Sequence, residues 1–317
     1  MREFIIGNKV EIAVFGVFII LMLAFTFANP DVFLAYRAYT AVFTTVAISI
    51  IITVAMVFVI AGGEIDLSFP SLIGISAWAF ASTAKTGISP LFALLAALTV
   101  GTTAGFVNGL IVTRLQLSSL VSTLGMNFLL RGLIMIGTQG LGVSLVFLKG
   151  TILRKILVGR IGLFPAQMIW SIAFTIFCWI LFYRHKFGGH VCYAGDNLIG
   201  SREMGINVER VKLFTFMLVG FSAAFSGTLI CLINNIFWPT AGDGYLLMVL
   251  GAVFLGGTPT WGGIGTIFGA FFGALILGFI ETGIIASGLT GFYTQFFYGI
   301  ILILSLISHR FAGLVKK

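Results

Sequence analysis

Glu64 and Asp66 stand two residues apart in AGGEIDLSFPS (61–71), between the apolar runs AVFTTVAISIIITVAMVFVI (41–60) and LIGISAWAFA (72–81). A carboxylate at the centre of a bilayer costs about 2.5–3.5 kcal/mol on insertion scales. Both acids must therefore reach water, a protein partner or backbone amides. Gly62 and Gly63 permit unusual backbone angles, and Pro70 suits the first turn of a new helix. Ser68 is placed to cap that helix by accepting amide bonds, and Asp66 near the same terminus is favoured by the helix dipole. The stretch is a helix break, which either lines a pathway or forms a structural turn. Asp66 reads as structural, while Glu64 stays open.

Further polar groups lie inside apolar runs. Glu281 sits between LILGFI and TGIIASG, and Arg131 lies within another run. An intramembrane acid is a functional candidate by default. Glu281 could bond a hydroxylated solute or pair with Arg131. Asn127 and Tyr245 join Glu64, Asp66, Ser68 and Glu281 as candidates for a translocation path. The other chemistries are absent: there is no GxxxxGK[ST] loop for nucleotide, no nucleophile elbow and no HExxH. Cys178, Cys192 and Cys231 are odd in number and lack ligand spacing, and His185, His190 and His309 sit at run ends beside Arg or Lys. Neither a metal site nor a cofactor is expected, and the chain does not read as an enzyme.

The elements that must position these groups follow from composition. The 317 residues are 59% hydrophobic and 9% charged, with mean hydropathy +1.13. Soluble domains carry about 25% charged residues, so this is an all-α polytopic membrane protein. Apolar runs long enough to span lie at 10–28, 40–61, 67–84, 90–112, 118–137, 165–183, 211–233, 244–258, 264–286 and 291–309. These are ten helices in one permease domain over 1–317, the third and eighth being short. The first run is longer than a signal-peptide core and reads as an uncleaved helix. The net charge of +8 sits mostly in short segments between runs. That pattern suits membrane topology and lipid contact, and no basic stripe suggests nucleic acid. With both termini cytoplasmic, eleven Lys and Arg fall inside and six outside, although the run KGTILRKILVGR (149–160) opposes that orientation.

Two connections differ from the rest. Residues 138–164 are apolar enough to lie along the interface or fold back. Residues 184–212 are the most polar stretch and offer a surface to a soluble partner. The segments 58–74 and 254–270 also echo each other, each with a glycine pair after an apolar run. They are either paired broken helices at a translocation site or two glycine-rich turns. Gly62, Gly63, Gly256 and Gly257 are the candidate hinges.

GGEIDLS resembles the GGIDLS-type signature of the membrane permeases of bacterial ABC importers for monosaccharides, the ribose/arabinose/xylose/galactoside group. VNGLIVTRLQLSSLVSTLGMNFLLRGL (107–133), AGDNLIGSREMGINVERVK (194–212) and PTAGDGYLLMVLGAVFLGGTPTWGGIGTIFGAFFGALILG (239–278) are similar to further blocks of that family. The resemblance implies a conduit for a monosaccharide or similar hydroxylated solute in the bacterial inner membrane. It also implies ATPase subunits inside, a periplasmic or lipid-anchored solute-binding protein outside, and a second permease copy, identical or similar. A cytoplasmic coupling segment at about 190–210 would dock on the ATPase through Asn197, Arg202, Glu203, Gly205, Ile206 and Asn207, with Met204, Ile206 and Val208 as its apolar set. The sequence departs from the pattern at Leu246-Leu247, where a glutamate is expected, at Glu281-Thr282, where the family has two asparagines, and at the inserted Glu64. These departures leave open a nucleoside, an amino acid, a furanosyl signalling molecule, or proton coupling through Glu64 or Glu281.

Overall fold

The computed structural model describes residues 9–162 and 164–314. In chain order its helices are α1 (Lys9–Ala28), α2 (Pro30–Phe33), α3 (Tyr36–Ala61), α4 (Phe69–Lys85), α5 (Pro90–Arg114), α6 (Ser119–Thr138), α7 (Ile152–Val158), α8 (Ala166–Tyr183), α9 (Lys186–Asp196), α10 (Leu198–Glu203), α11 (Val208–Asn234), α12 (Tyr245–Leu255), α13 (Ile267–Ala286) and α14 (Phe292–Leu314). Among the described residues, eight helices are long and apolar enough to cross a membrane: α1, α3, α5, α6, α8, α11, α13 and α14. The short third and eighth runs are α4, with 17 residues, and α12, with 11. At 1.5 Å per residue α12 covers only about half of a 30 Å hydrocarbon core. The basic terminal residues Arg2, Lys316 and Lys317, which weigh in the orientation, lie outside the described residues.

α3 is apolar on every face, and residues 46–61 are buried without a gap. Such a helix belongs at the centre of a bundle, and α11 lies beside it. Small residues bring α5 against α11. A Cβ added to Gly101 would stand 2.6 Å from both Gly220 O and Ala224 Cβ, and Gly105 and Gly109 continue the same face. This is the close approach that small-xxx-small spacing allows. Cys178 and Cys231 are buried, as small apolar residues should be. The phenylalanine excess is not lipid-facing bulk alone. Phe58, Phe69, Phe80, Phe216 and Phe279 are fully buried, whereas Phe27, Phe128 and Phe292 face outward.

Residues 138–164 fold back. Strand β1 (Val143–Ser144) pairs antiparallel with β4 (Ile236–Phe237), while β2 (Arg160–Ile161) and β3 (Phe164–Pro165) form a hairpin. Arg154 Nε donates to Leu232 O at 3.3 Å, and Trp170 Nε1 donates to Ile156 O at 3.0 Å. The segment is thereby fastened across the ends of α8 and α11. The alternation of helices leaves two ends to the bundle. Gly62, Gly195 and Gly262 share one, and Lys85, Ser144 and Ile236 share the other.

Candidate functional site

The Gly62 end is built from two helix stops of one kind. Gly63 has φ +79°, its N–H donates to Ile60 O, and Glu64 N–H donates to Val59 O, both at 3.0 Å. Gly257 has φ +93°, and Thr258 N–H donates to Val253 O at 3.2 Å. Each is a left-handed glycine cap that closes a helix, so the echoing glycine pairs terminate α3 and α12. Gly62 and Gly256 keep ordinary angles (φ −74° and −66°).

After the first stop the chain climbs as an extended strap to α4. Its backbone groups find partners on one face of α6, at every fourth residue. Ser119 Oγ accepts from Ile65 N–H at 3.2 Å, and Thr123 Oγ1 accepts from Leu67 N–H at 2.9 Å. Asn127 receives the Ser71 hydroxyl at 2.7 Å, and Arg131 donates to Pro70 O at 3.5 Å. Extended backbone at membrane depth is tolerated only where its groups are satisfied within the protein. Ser119 and Thr123 do this for the strap, and Asn127 and Arg131 continue the stripe to the first turn of α4. The stripe's i, i+4 spacing was visible in the sequence, but its partners were not, and only Asn127 and Arg131 drew notice there.

Within the strap, Asp66 Oδ1 accepts from Ser68 N–H at 2.8 Å and from the Ser68 hydroxyl at 2.6 Å. Asn108 Nδ2 then donates to Ser68 Oγ at 2.6 Å. Ser68 does precede α4, and Pro70 is in its first turn, but the Ser68 hydroxyl caps no amide. The expected cap is corrected: Asp66, the stronger acceptor, accepts hydrogen bonds from the Ser68 hydroxyl and the Ser68 amide instead. Glu64 forms an ion pair with Lys212 in the first turns of α11, both side chains largely buried. It is therefore matched by a cation and not left free in a pathway.

A second irregular segment enters from the other end. The chain from Asn235 to Gly244 dips towards the start of α4, where a Cβ on Gly242 would collide with Pro70 O. Arg131 reaches across from α6. Its guanidinium donates to Pro239 O and Ala241 O and forms an ion pair with Asp243. The pairing of Arg131 with Glu281 weighed from sequence is thus corrected: Asp243, in the irregular segment, takes the arginine. Glu281 Oε2 instead accepts from the Tyr298 hydroxyl at 3.2 Å. Tyr245, the first residue of α12, lines a cavity of about 250 Å³ that opens beside Asp243. The six path candidates therefore fall in two groups. Glu64, Asp66, Ser68 and Asn127 organise the strap, and Tyr245 and Glu281 lie with α12–α14.

The polar segment 184–212 folds as α9, α10 and a tight turn. Asn197 Oδ1 accepts from Gly200 N–H at 2.9 Å, and Asn207 Oδ1 accepts from Arg210 N–H at 3.0 Å, so these two residues start helices. Gly205 has φ +80° and closes α10. Arg202 and Glu203 are exposed, and Ile206 is half-buried. Val208 is buried against the bundle, which corrects its place in the apolar set. The exposed apolar side chains are Ile199 (70%), Met204 (64%), Tyr193 and Leu198.

These parts meet at Gly195, the penultimate residue of α9. A Cβ there would collide with Ala61 O and stand 2.7 Å from Gly263 N. Gly263 N–H itself donates to Ala61 O at 2.8 Å, and a Cβ on Gly262 would lie 2.8 Å from Gly195 O. Backbone of three segments, the end of α3, the end of α9 and the α12–α13 connection, is in direct contact. Side chains do not intervene between these backbones.

Known proteins give the same reading. The family described as branched-chain amino acid transport system / permease component matches residues 38–306. The ribose import permease of Escherichia coli K12 is 33% identical over 82% of each chain. The ribose import permease of Bacillus subtilis is 30% identical over 93% of this chain and 91% of its own. The autoinducer 2 import system permease of Yersinia pseudotuberculosis is 30% identical over 86% of this chain and 76% of its own. No solved structure matches. Such permeases work with an ATPase and a substrate-binding protein, and they are not enzymes. The chain belongs to this family: it is a multi-pass inner-membrane permease subunit of an ATP-binding-cassette importer.

Proposed function

We propose that the chain passes a monosaccharide or similarly small hydroxylated solute through the membrane, and that α9–α10 is the surface through which the ATPase drives it. The family's description names branched-chain amino acids, but the relatives cited above are named for ribose and autoinducer 2. The contact of Gly195 with Ala61 and Gly263 carries the mechanism. An ATPase moving α9–α10 pushes at once on the strap after α3 and on the start of α13. Gly63 and Gly257, already in the left-handed region, are where the connections turn. The Gly62 end is cytoplasmic in this reading. A solute-binding protein, periplasmic or lipid-anchored, delivers from the other side, and a second permease copy, identical or similar, completes the conduit. Membrane lipid covers the outward faces of α1, α5, α6 and α14.

The test is made on the full importer, permease with ATPase and binding protein, in proteoliposomes. Gly195→Ala is expected to leave the ATPase bound and hydrolysing while D-ribose uptake per ATP falls about 5- to 150-fold, the range of ordinary coupling energies. Ile199→Asp with Met204→Asp, on the surface, is expected to release the ATPase without unfolding the permease. Uptake unchanged in the first variant, or an ATPase still bound in the second, overturns the coupling route.

A further inference from the structure

A cavity opens beside Asp243. It lies between the Thr44 turn of α3, the end of α11 and the irregular segment 235–244. Its volume is about 250 Å³, below the range of about 300–1,000 Å³ typical of drug-sized ligands. Asn234, Thr240 and Asp243 are exposed, so it is open at the end of the bundle opposite Gly195. It is a site for a small solute.

Its lining is mixed in a particular way. Asp243 uses Oδ1 for Arg131, which fixes the carboxylate and leaves Oδ2 as an acceptor. Asn234 Nδ2 donates to Ile230 O at 3.0 Å, leaving Oδ1 to accept. Among the described residues the Trp238 indole N–H has no acceptor, Thr240 adds a hydroxyl that can act either way, and Tyr245 also lines the cavity. Residues with free donors and free acceptors thus line one small volume together with an indole. Hydroxyl groups donate and accept together, and a pyranose or furanose also has an apolar C–H face. The Asp243 charge is already balanced by Arg131, so no cation is left over for the carboxylate of a free amino acid.

Resting on the sugar-importer reading above, we infer that this cavity is a solute subsite of the permease itself. It recognises an uncharged cyclic polyol through Asp243, Asn234 and Thr240, with the ring laid on Trp238. The permease would then add a selection of its own to that of the binding protein. The irregular segment that forms the site is the one that touches Pro70 at the head of α4, so occupancy is sensed where the two broken regions meet.

The experiment uses the purified full chain in lipid nanodiscs, without its partners. Tryptophan fluorescence is titrated with D-ribose, D-xylose, D-galactose and L-leucine. Uptake of the same four is measured with the complete importer. Saturable quenching by at least one sugar is expected, abolished in Trp238→Phe and weakened about tenfold or more in Thr240→Val and Asn234→Leu, for loss of one or two hydrogen bonds. These last two leave the Arg131–Asp243 pair intact, and melting in detergent checks their fold. A sugar that the importer moves but the permease alone does not bind, or binds equally in all cavity variants, overturns the subsite and spares the sugar reading. Uptake and binding of L-leucine with no sugar response overturns both.

Discussion

Lys212 and Glu64 meet where α11 begins and the strap leaves α3, and neither side chain has much water. The pair differs in kind from Arg114–Glu209, at 3.7 Å with both groups exposed, which is worth about 0–1 kcal/mol. Removing one member of a buried pair costs about 3–5 kcal/mol because the other charge is left unmatched, whereas replacing both by apolar or neutral groups is often nearly neutral. Lys212→Met is therefore expected to lower the melting temperature of the detergent-solubilised chain steeply. Lys212→Met with Glu64→Gln should regain most of that loss. A double variant as unstable as the single one would show that Glu64 has another essential contact. Much of this scale was legible in the sequence. The acids, glycines and Pro70 announced a break, because charge and helix breakers are rare in apolar runs. The partners were not legible. Lys212 follows Glu64 by 148 positions and Asp243 follows Arg131 by 112, and spacing along a chain says nothing about which ends of a bundle adjoin.

The strap and the stripe on α6 form one unit. The five residues 64–68 between the Gly63 cap and α4 would carry unpaired amides into the bilayer, and Ser119 and Thr123 remove two of them. The stripe reads in the sequence as ordinary small polar residues at helical spacing, the kind that return a hydroxyl to their own helix. Thr123 does so as well, donating to Ser119 O at 2.6 Å while accepting from Leu67. Its role as an acceptor for a distant amide depends on the strap's path, which sequence periodicity does not describe. Thr123→Val keeps the shape and removes the acceptor. It is expected to cost about 1–3 kcal/mol, the penalty of an unsatisfied buried amide, seen as a lower folded yield and melting temperature. Thr123→Ser, which keeps the hydroxyl, should recover both. If valine and serine behave alike, the strap is held by packing and not by these bonds.

At the scale of the molecule, ten runs predicted ten membrane segments, and the two short ones proved to be the helices entered from irregular chain. Orientation rests on the basic residues, where one run, 149–160, stands against the other segments. Arg154 is tied to Leu232 O, the α7 turn is held by Trp170, and β1 is paired to β4, so this basic run belongs to a folded cap over the ends of α8 and α11. The positive-inside bias is a sum over the short loops, and first helices usually dominate it. Summed over the chain, eleven basic residues against six still support the proposed orientation, in which the side bearing Arg114, Arg184, Lys186, Arg202 and Arg210 is cytoplasmic and the cap faces outward. Ile152 on the cap and Ile199 on α10 are both exposed, at 76% and 70%, while Cys178 and Cys231 are buried. Ile152→Cys is expected to react with a membrane-impermeant maleimide in intact spheroplasts. Ile199→Cys should react only after permeabilisation, and less when the ATPase is bound. The opposite pattern would invert the protein and place the solute cavity on the cytoplasmic side. Cavity and coupling surface would then exchange sides, and the chain would be built to receive its solute from within.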